Sequence, residues 1–307
     1  MSSKHFEFKS AFSLVEISIV IVIIGILIAG ISKGMDLYAD FKLTTARNLT
    51  NNSIVNRIQG LTIWLESTST KSFAKAEMSN NEAIALWNDI NPQRPMKINV
   101  TQATANKRPT YVKNAINNLP ALKFADNLEL RSVDIVARDI FSPDQVTAFL
   151  VQNAFSVDTS STTISWVATT NNTDGGTEVA RFNFHAPGGT SVVFDYYNTL
   201  VSVSGHIPIA NVANFLDRNK IISAIRNSNY TDIRINYNER SANRSDANSV
   251  FSQSLISPLV VGKFRKDSTY FFNGYIVEII IFNRALSESE RYEVEKYLSQ
   301  KWGIGIK

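Results

Sequence analysis

Apolar residues crowd into one stretch near the start of the chain and alternate with polar ones almost everywhere else. Residues 12–31 read FSLVEISIVIVIIGILIAGI, a run of 20 whose only polar members are Ser13, Glu16 and Ser18. As a helix rising about 1.5 Å per residue, the run spans roughly 30 Å, the thickness of a bilayer core. It predicts a membrane-crossing helix. Beyond it, Met35, Leu37, Tyr38, Phe41 and Leu43 alternate with Lys33, Asp36, Asp40 and Lys42, which continues the helix as an amphipathic stalk toward Leu61. The patch NLTNNS at 48–53 is expected to fray or bend the stalk, because short polar side chains compete for backbone hydrogen bonds.

After Gly60 the period changes. Short β-branched and aromatic runs, among them 145–151, 163–167, 191–196 and 232–237, are separated by Asn, Gly, Asp and Ser clusters. Many short strands with turn-rich spacing predict a sandwich or jelly roll. One late helix is clear: Ser287 and Glu290 form a capping-box pattern, Val294, Leu298 and Trp302 recur every four residues, and Gly303 stands where a C-terminal cap belongs. Such a helix should pack on a sheet.

Composition narrows the chemistry. In 307 residues, 44% hydrophobic and 19% charged, a large core is affordable and disorder is excluded. A net charge of +4 is too mild for a nucleic-acid binder. With no cysteine there are no disulfides, thiolate metal sites or cysteine nucleophiles. Histidine occurs only at His5, His185 and His206, which excludes sites needing a larger histidine set.

Lys4 and Lys9 on the short leading flank hold that flank in the cytoplasm by the positive-inside rule, leaving the bulk of the chain outside. The small residue Ala11 precedes the apolar run instead of following it, and Glu16 sits inside it at a cost that normally marks a function. Lys9-Ser10-Ala11 followed by Phe12-Ser13-Leu14-Val15-Glu16 and an Ile/Val-rich run resembles the prepilin signature of type IV pilins and type II secretion pseudopilins. The resemblance implies a leader at 1–11, cleaved between Ala11 and Phe12 by a prepilin peptidase that methylates the new Phe12 amine. It also implies an assembly helix and stalk at 12–59 in which Glu16 meets the amine of a neighbouring subunit. The chain departs from the family in carrying Ala11 where Gly is usual and in lacking a helix-interrupting proline. An uncleaved signal anchor accounts for the apolar run and the lysines but not for Glu16. Gly30 and Gly34 form a small-xxx-small pair suited to close helix packing.

The stretch 272–291, continuing through 297–303, resembles the closing strand and helix of laminin-G-like, concanavalin A-like jelly rolls, and pieces at 61–65, 86–89, 101–105, 108–111 and 118–124 follow in that family's order. The resemblance implies a lectin-like domain at 60–307. Trp64, Trp87, Phe124 and Trp302 are read as core residues in preference to sugar-stacking rings, since buried aromatics dominate sandwich cores. Ligand contacts are expected in turns. Asn171, Asn172, Asp174 and Glu178 concentrate oxygen atoms suited to calcium or to sugar hydroxyls, in a segment that also reads as an ordinary hairpin tip. The run 262–267, with three cations and an aromatic ring, reads as a solvated loop.

No catalytic signature is present: the Glu-x-Asp-x-x-Glu strand of glucanases, the nucleophile elbow, the zinc helix and the phosphate loop are all missing. Asp126, Glu129 and Glu178 are carboxylates that only folding would gather. The expected function is non-catalytic. It is a minor or tip pilin-like subunit displaying a lectin-like head for adhesion, in the inner membrane first and then in an extracellular pilus. The alternatives are a periplasmic pseudopilin whose head binds exported proteins, and a membrane-anchored carbohydrate-binding protein. Expected partners are the prepilin peptidase, other pilin subunits and a glycan or surface-protein ligand, with calcium as the possible cofactor.

Overall fold

The computed structural model describes residues 13–156, 161–186, 191–198, 201–208, 216–228, 230–237, 239–244, 252–265 and 269–306. The chain divides into two compact units, Met1–Thr44 and Thr45–Lys307. The first unit is helix α1 (Leu14–Asn51) up to Thr44, and its apolar side chains from Leu14 to Phe41 are exposed. The helix is long and apolar enough to cross a membrane.

The second unit starts within α1, ahead of the expected boundary at residue 60. Ala46 and Thr50 are buried there, and Arg47 Nε donates to the Thr68 carbonyl at 2.8 Å. The stalk does not run on to Leu61, because α1 ends inside the polar patch. The Asn52 and Asn56 side-chain amides donate to the Asn48 and Asn51 carbonyls at 2.9 Å each, satisfying acceptors that the helix end leaves open.

Two antiparallel eight-stranded sheets follow. Sheet A runs β14 (Glu239–Arg244), β13 (Tyr230–Ile235), β12 (Lys220–Asn227), β7 (Val146–Ala154), β16 (Gly274–Phe282), β5 (Leu119–Phe124) and β4 (Thr110–Ile116), with β1 (Leu61–Glu66) also paired to β16. Sheet B runs β11 (Val201–Pro208), β10 (Ser191–Asn198), β9 (Glu178–Ala186), β8 (Ser161–Thr169), β15 (Ile256–Val261), β6 (Leu130–Val136), β3 (Val100–Thr101) and β2 (Leu86–Trp87). Period-two alternation sends Leu150, Ile222, Ile279 and Ile281 from sheet A, and Trp166, Phe182, Phe184 and Leu259 from sheet B, into one shared core. Phe141 sits at its centre, 4.9 Å from the Phe182 ring and 5.4 Å from Trp166. The expected jelly-roll sandwich is present.

Strand β16 reads GYIVEIIIF, too apolar for a half-exposed strand. Both of its faces are buried. One joins the core; over the other lies helix α2 (Glu288–Trp302), with its Ser287/Glu290 capping box formed and Gly303 left-handed at φ 63°. Val294, Leu298 and Trp302 are buried against the sheet as expected, and Trp64, Trp87 and Phe124 are core residues.

Candidate functional site

Ala11 and Phe12 lie outside the described residues. Glu16 occupies the first turn of α1, where its Oε2 accepts from the Ser13 amide at 2.8 Å while Ser13 Oγ accepts from the Glu16 amide at 3.2 Å. This is a capping box, a role the Ser-x-x-Glu spacing carried and the sequence reading did not draw. In an apolar medium it matters more than in water, because an open amide there has no solvent partner.

The turn between β8 and β9 holds the four candidate ligand residues. Asp174 receives Arg131 through both guanidinium ends, at 3.1 and 3.0 Å, and Arg265 Nε at 3.0 Å. Arg265 is 2% exposed and also donates to the Val167 carbonyl and Ser257 Oγ at 2.7 Å, and to the Asn172 carbonyl at 2.8 Å. Burial acts to raise the Asp174 carboxyl, but the two guanidiniums hold it below the usual carboxylate range. Asn171 Oδ1 accepts from Thr173, and Glu178 turns to a different cation, Arg181, at 2.7 and 2.9 Å. The expected oxygen cage is thus replaced by two separate arginine pairings. Among the described residues no three His, Asp or Glu side chains gather where a metal ion would sit.

The run 262–267 differs from the solvated loop expected of it. Phe264 and Arg265 are buried, and Arg265 lies across β8 and β15 on the face turned away from sheet A, its amide held by Ser165 Oγ at 3.1 Å. Neither Arg131 nor Arg265 was legible as a partner, because they stand 43 and 91 residues from Asp174. On the same face, Arg181 lies over the Phe264 ring at 4.9 Å and reaches Asp195 at 3.0 Å, while His185 Nε2 is 3.1 Å from the same carboxylate. Asn183 Oδ1, buried between them along β9, has no hydrogen-bond partner among the described residues. Of the carboxylates that folding was to gather, Glu129 stands beside Arg131 and Lys263, at 3.5 and 3.8 Å, and Glu178 takes Arg181.

Beneath α2 the interface is charged as well as apolar. Lys301 Nζ lies 2.5 Å from Glu66 Oε1 and 2.9 Å from Glu278 Oε2, with all three side chains fully buried. Glu278 also accepts from Trp64 Nε1, Trp302 Nε1 and Tyr297 Oη at 2.7–2.8 Å. Burial raises its carboxyl above the ordinary value, and Lys301 pulls the other way. Nearer the helix start, Arg291 meets Asp232 at 2.6 Å, and Arg234 grips Glu288 through two contacts of 2.7 Å. These residues hold the helix to the sheet and close the sandwich.

No protein-family profile matches the sequence, and no curated protein matches it. Solved structures do. Domain 4 of AbnA, a GH43 extracellular arabinanase from Geobacillus stearothermophilus in complex with arabinotriose, aligns at 14% identity and a TM-score of 0.50, over 77% of this chain and 97% of that one. The Ruminococcus gnavus IT-sialidase CBM40 bound to α2,3-sialyllactose aligns at 16% identity and 0.41, over 50% and 83%. Trypanosoma rangeli sialidase in complex with the inhibitor DANA aligns at 13% identity and 0.48, over 81% of this chain and 34% of its own; of a NanB chain, 26% is covered. At these identities the likeness is one of fold, a jelly-roll sandwich of the concanavalin A-like kind.

Proposed function

We propose that the chain is a non-catalytic, pilin-like subunit that carries a glycan-binding jelly roll on a membrane-crossing assembly helix. One observation carries this reading: a single chain joins the Lys9-Ser10-Ala11-Phe12 junction and its Glu16-bearing apolar helix to a sandwich of the fold seen in the arabinotriose-bound arabinanase domain. The helix supports anchorage in the inner membrane, and the flanking lysines place the head outside the cytoplasm. A head spanning Thr45–Lys307 is bulky for a thin fibre, which favours a tip or sparse position over one at every repeat.

The test is N-terminal mass spectrometry on protein extracted from membranes and from sheared filaments. A start at an N-methylated Phe12 in both fractions is the expected result. An intact Met1 or Ser2 in the wild-type protein would refute the pilin reading and leave a membrane-anchored lectin.

A further inference from the structure

The connection between β13 and β14 holds a tyrosine in a conformation that tyrosine rarely adopts. Ile235 pairs with Glu239, and in the turn between them Asn236 has φ 49° and Tyr237 φ 71°. Asparagine tolerates the left-handed region; a bulky aromatic residue there is an outlier, and such outliers cluster where strain serves a ligand. The turn is pinned from the adjoining strand, since the Asn236 amide donates to the Ile221 carbonyl at 2.8 Å and the Ile221 amide donates to Asn236 Oδ1 at 2.9 Å. Tyr237 is therefore presented by a fixed backbone.

Its ring meets Tyr292 of α2 with centroids 5.6 Å apart and planes at 67°, which makes a corner of two aromatic surfaces. Tyr292 is 40% exposed. Arg234, gripped by Glu288 and Asp232, lies 5.5 Å from the Tyr237 ring centroid and fixes it from the sheet side. Glu288 precedes Tyr292 by one helical turn, and its side chain is 63% exposed on the same helix face. Lys296, one turn further on, is paired with Glu293 at 3.9 Å.

We infer that Tyr237 and Tyr292 form a stacking corner for a neutral oligosaccharide, with Glu288 accepting hydrogen bonds from its hydroxyl groups. The inference rests on the glycan-binding reading of the head and names the surface and the sugar class. The C–H face of a sugar ring suits an aromatic surface, and rings held in advance by backbone and arginine lose little freedom on binding. The exposed carboxylate of Glu288 beside the corner disfavours sialic and uronic acids, whose own carboxylates it would repel.

The experiment uses the full chain in detergent micelles on an array carrying neutral arabino-, gluco- and galacto-oligosaccharides together with sialylated and uronic-acid glycans. Titration then compares the wild type with Tyr237→Gly, Tyr237→Phe and Tyr292→Ala on the strongest neutral probe. Tyr237→Gly and Tyr292→Ala should each weaken binding at least about tenfold, and Tyr237→Phe, which keeps the ring, should not. Because glycine accepts φ 71°, Tyr237→Gly should melt no lower than the wild type, and up to about 2 °C higher. Neutral-glycan binding unchanged in both Tyr237→Gly and Tyr292→Ala would overturn the corner while leaving the head a lectin. Binding confined to acidic glycans would overturn the sugar class. A wild-type array blank throughout would overturn the lectin reading and the corner with it. A melting point several degrees lower in Tyr237→Gly, with binding intact, would make Tyr237 a packing residue.

Discussion

Lys301 Nζ stands 2.5 Å from Glu66 Oε1 with neither side chain reaching solvent, so the last helix of the chain is tied to the first strand of its sandwich. Glu66 is held in turn by the amides of Thr68 and Ser69, at 2.7 and 2.6 Å. Thr50, near the end of α1, reaches the same cluster through Tyr297 Oη at 3.3 Å. Chain start, chain end and central strand β16 of the head thus meet at one ammonium group.

Lys301→Met should destabilise the head by about 3–5 kcal/mol, because it leaves Glu66 and Glu278 buried without their cation. Urea unfolding followed by tryptophan fluorescence checks this, with Trp64 and Trp302 bonded to Glu278 as reporters. A loss under about 1 kcal/mol would show that the donors around the two carboxylates suffice without the lysine.

Asp174→Ala should cost about 1–3 kcal/mol even though the residue lies in a turn, since it strips partners from Arg265, which is almost wholly enclosed. Adding calcium or a chelator should leave the wild-type melting point unchanged. A calcium-dependent rise abolished by Asp174→Ala would reinstate the turn as a cation site.

Glu290 supplies a pH dependence of known sign. Arg284 holds it at 2.9 and 2.5 Å and, with the Ser287 cap, lowers its carboxyl from 4.5 to about 2. A carboxyl depressed in the folded state contributes stability that is fully present above pH 4.5 and is lost as pH falls toward 2. Glu290→Gln should therefore flatten the acid limb of a melting-point profile between those values and leave its neutral limb nearly parallel to the wild type.

At Glu16 two roles can be separated. Glutamine still caps a helix start but carries no charge, whereas valine does neither. Both variants should insert into the membrane at wild-type levels, as judged by carbonate extraction. If Glu16 pairs with a neighbouring amine, neither should enter filaments. Filament entry by Glu16→Gln at the wild-type level would assign the residue to the cap of its own helix.

Features governed by neighbours three or four positions away were legible in the amino-acid order. The apolar span of α1 and the Ser287/Glu290 box of α2 with its Gly303 stop depend on backbone geometry within one or two turns, which the local residues set. The burial of Trp64, Trp87 and Trp302 was legible for a related reason, since large rings in strand and helix patterns have nowhere else to go.

Partnerships across the fold were not legible. Glu278 is conspicuous inside GYIVEIIIF, yet nothing near it announces Lys301, Trp64 or Trp302; they converge because β1 adds to β16 and α2 closes over both. The oxygen-rich turn at 171–178 had the composition of a ligand loop, and whether its carboxylates faced solvent or guanidinium was decided by β6 and the segment after β15. Tyr237 read as the end of a strand, and only the register that pairs Ile235 with Glu239 turned it into a left-handed corner against Tyr292. Caps and spans are local energies written in adjacent residues. Ion pairs and aromatic contacts between distant strands take their energy from separations that sheet order alone sets, and no spacing along the chain encodes them.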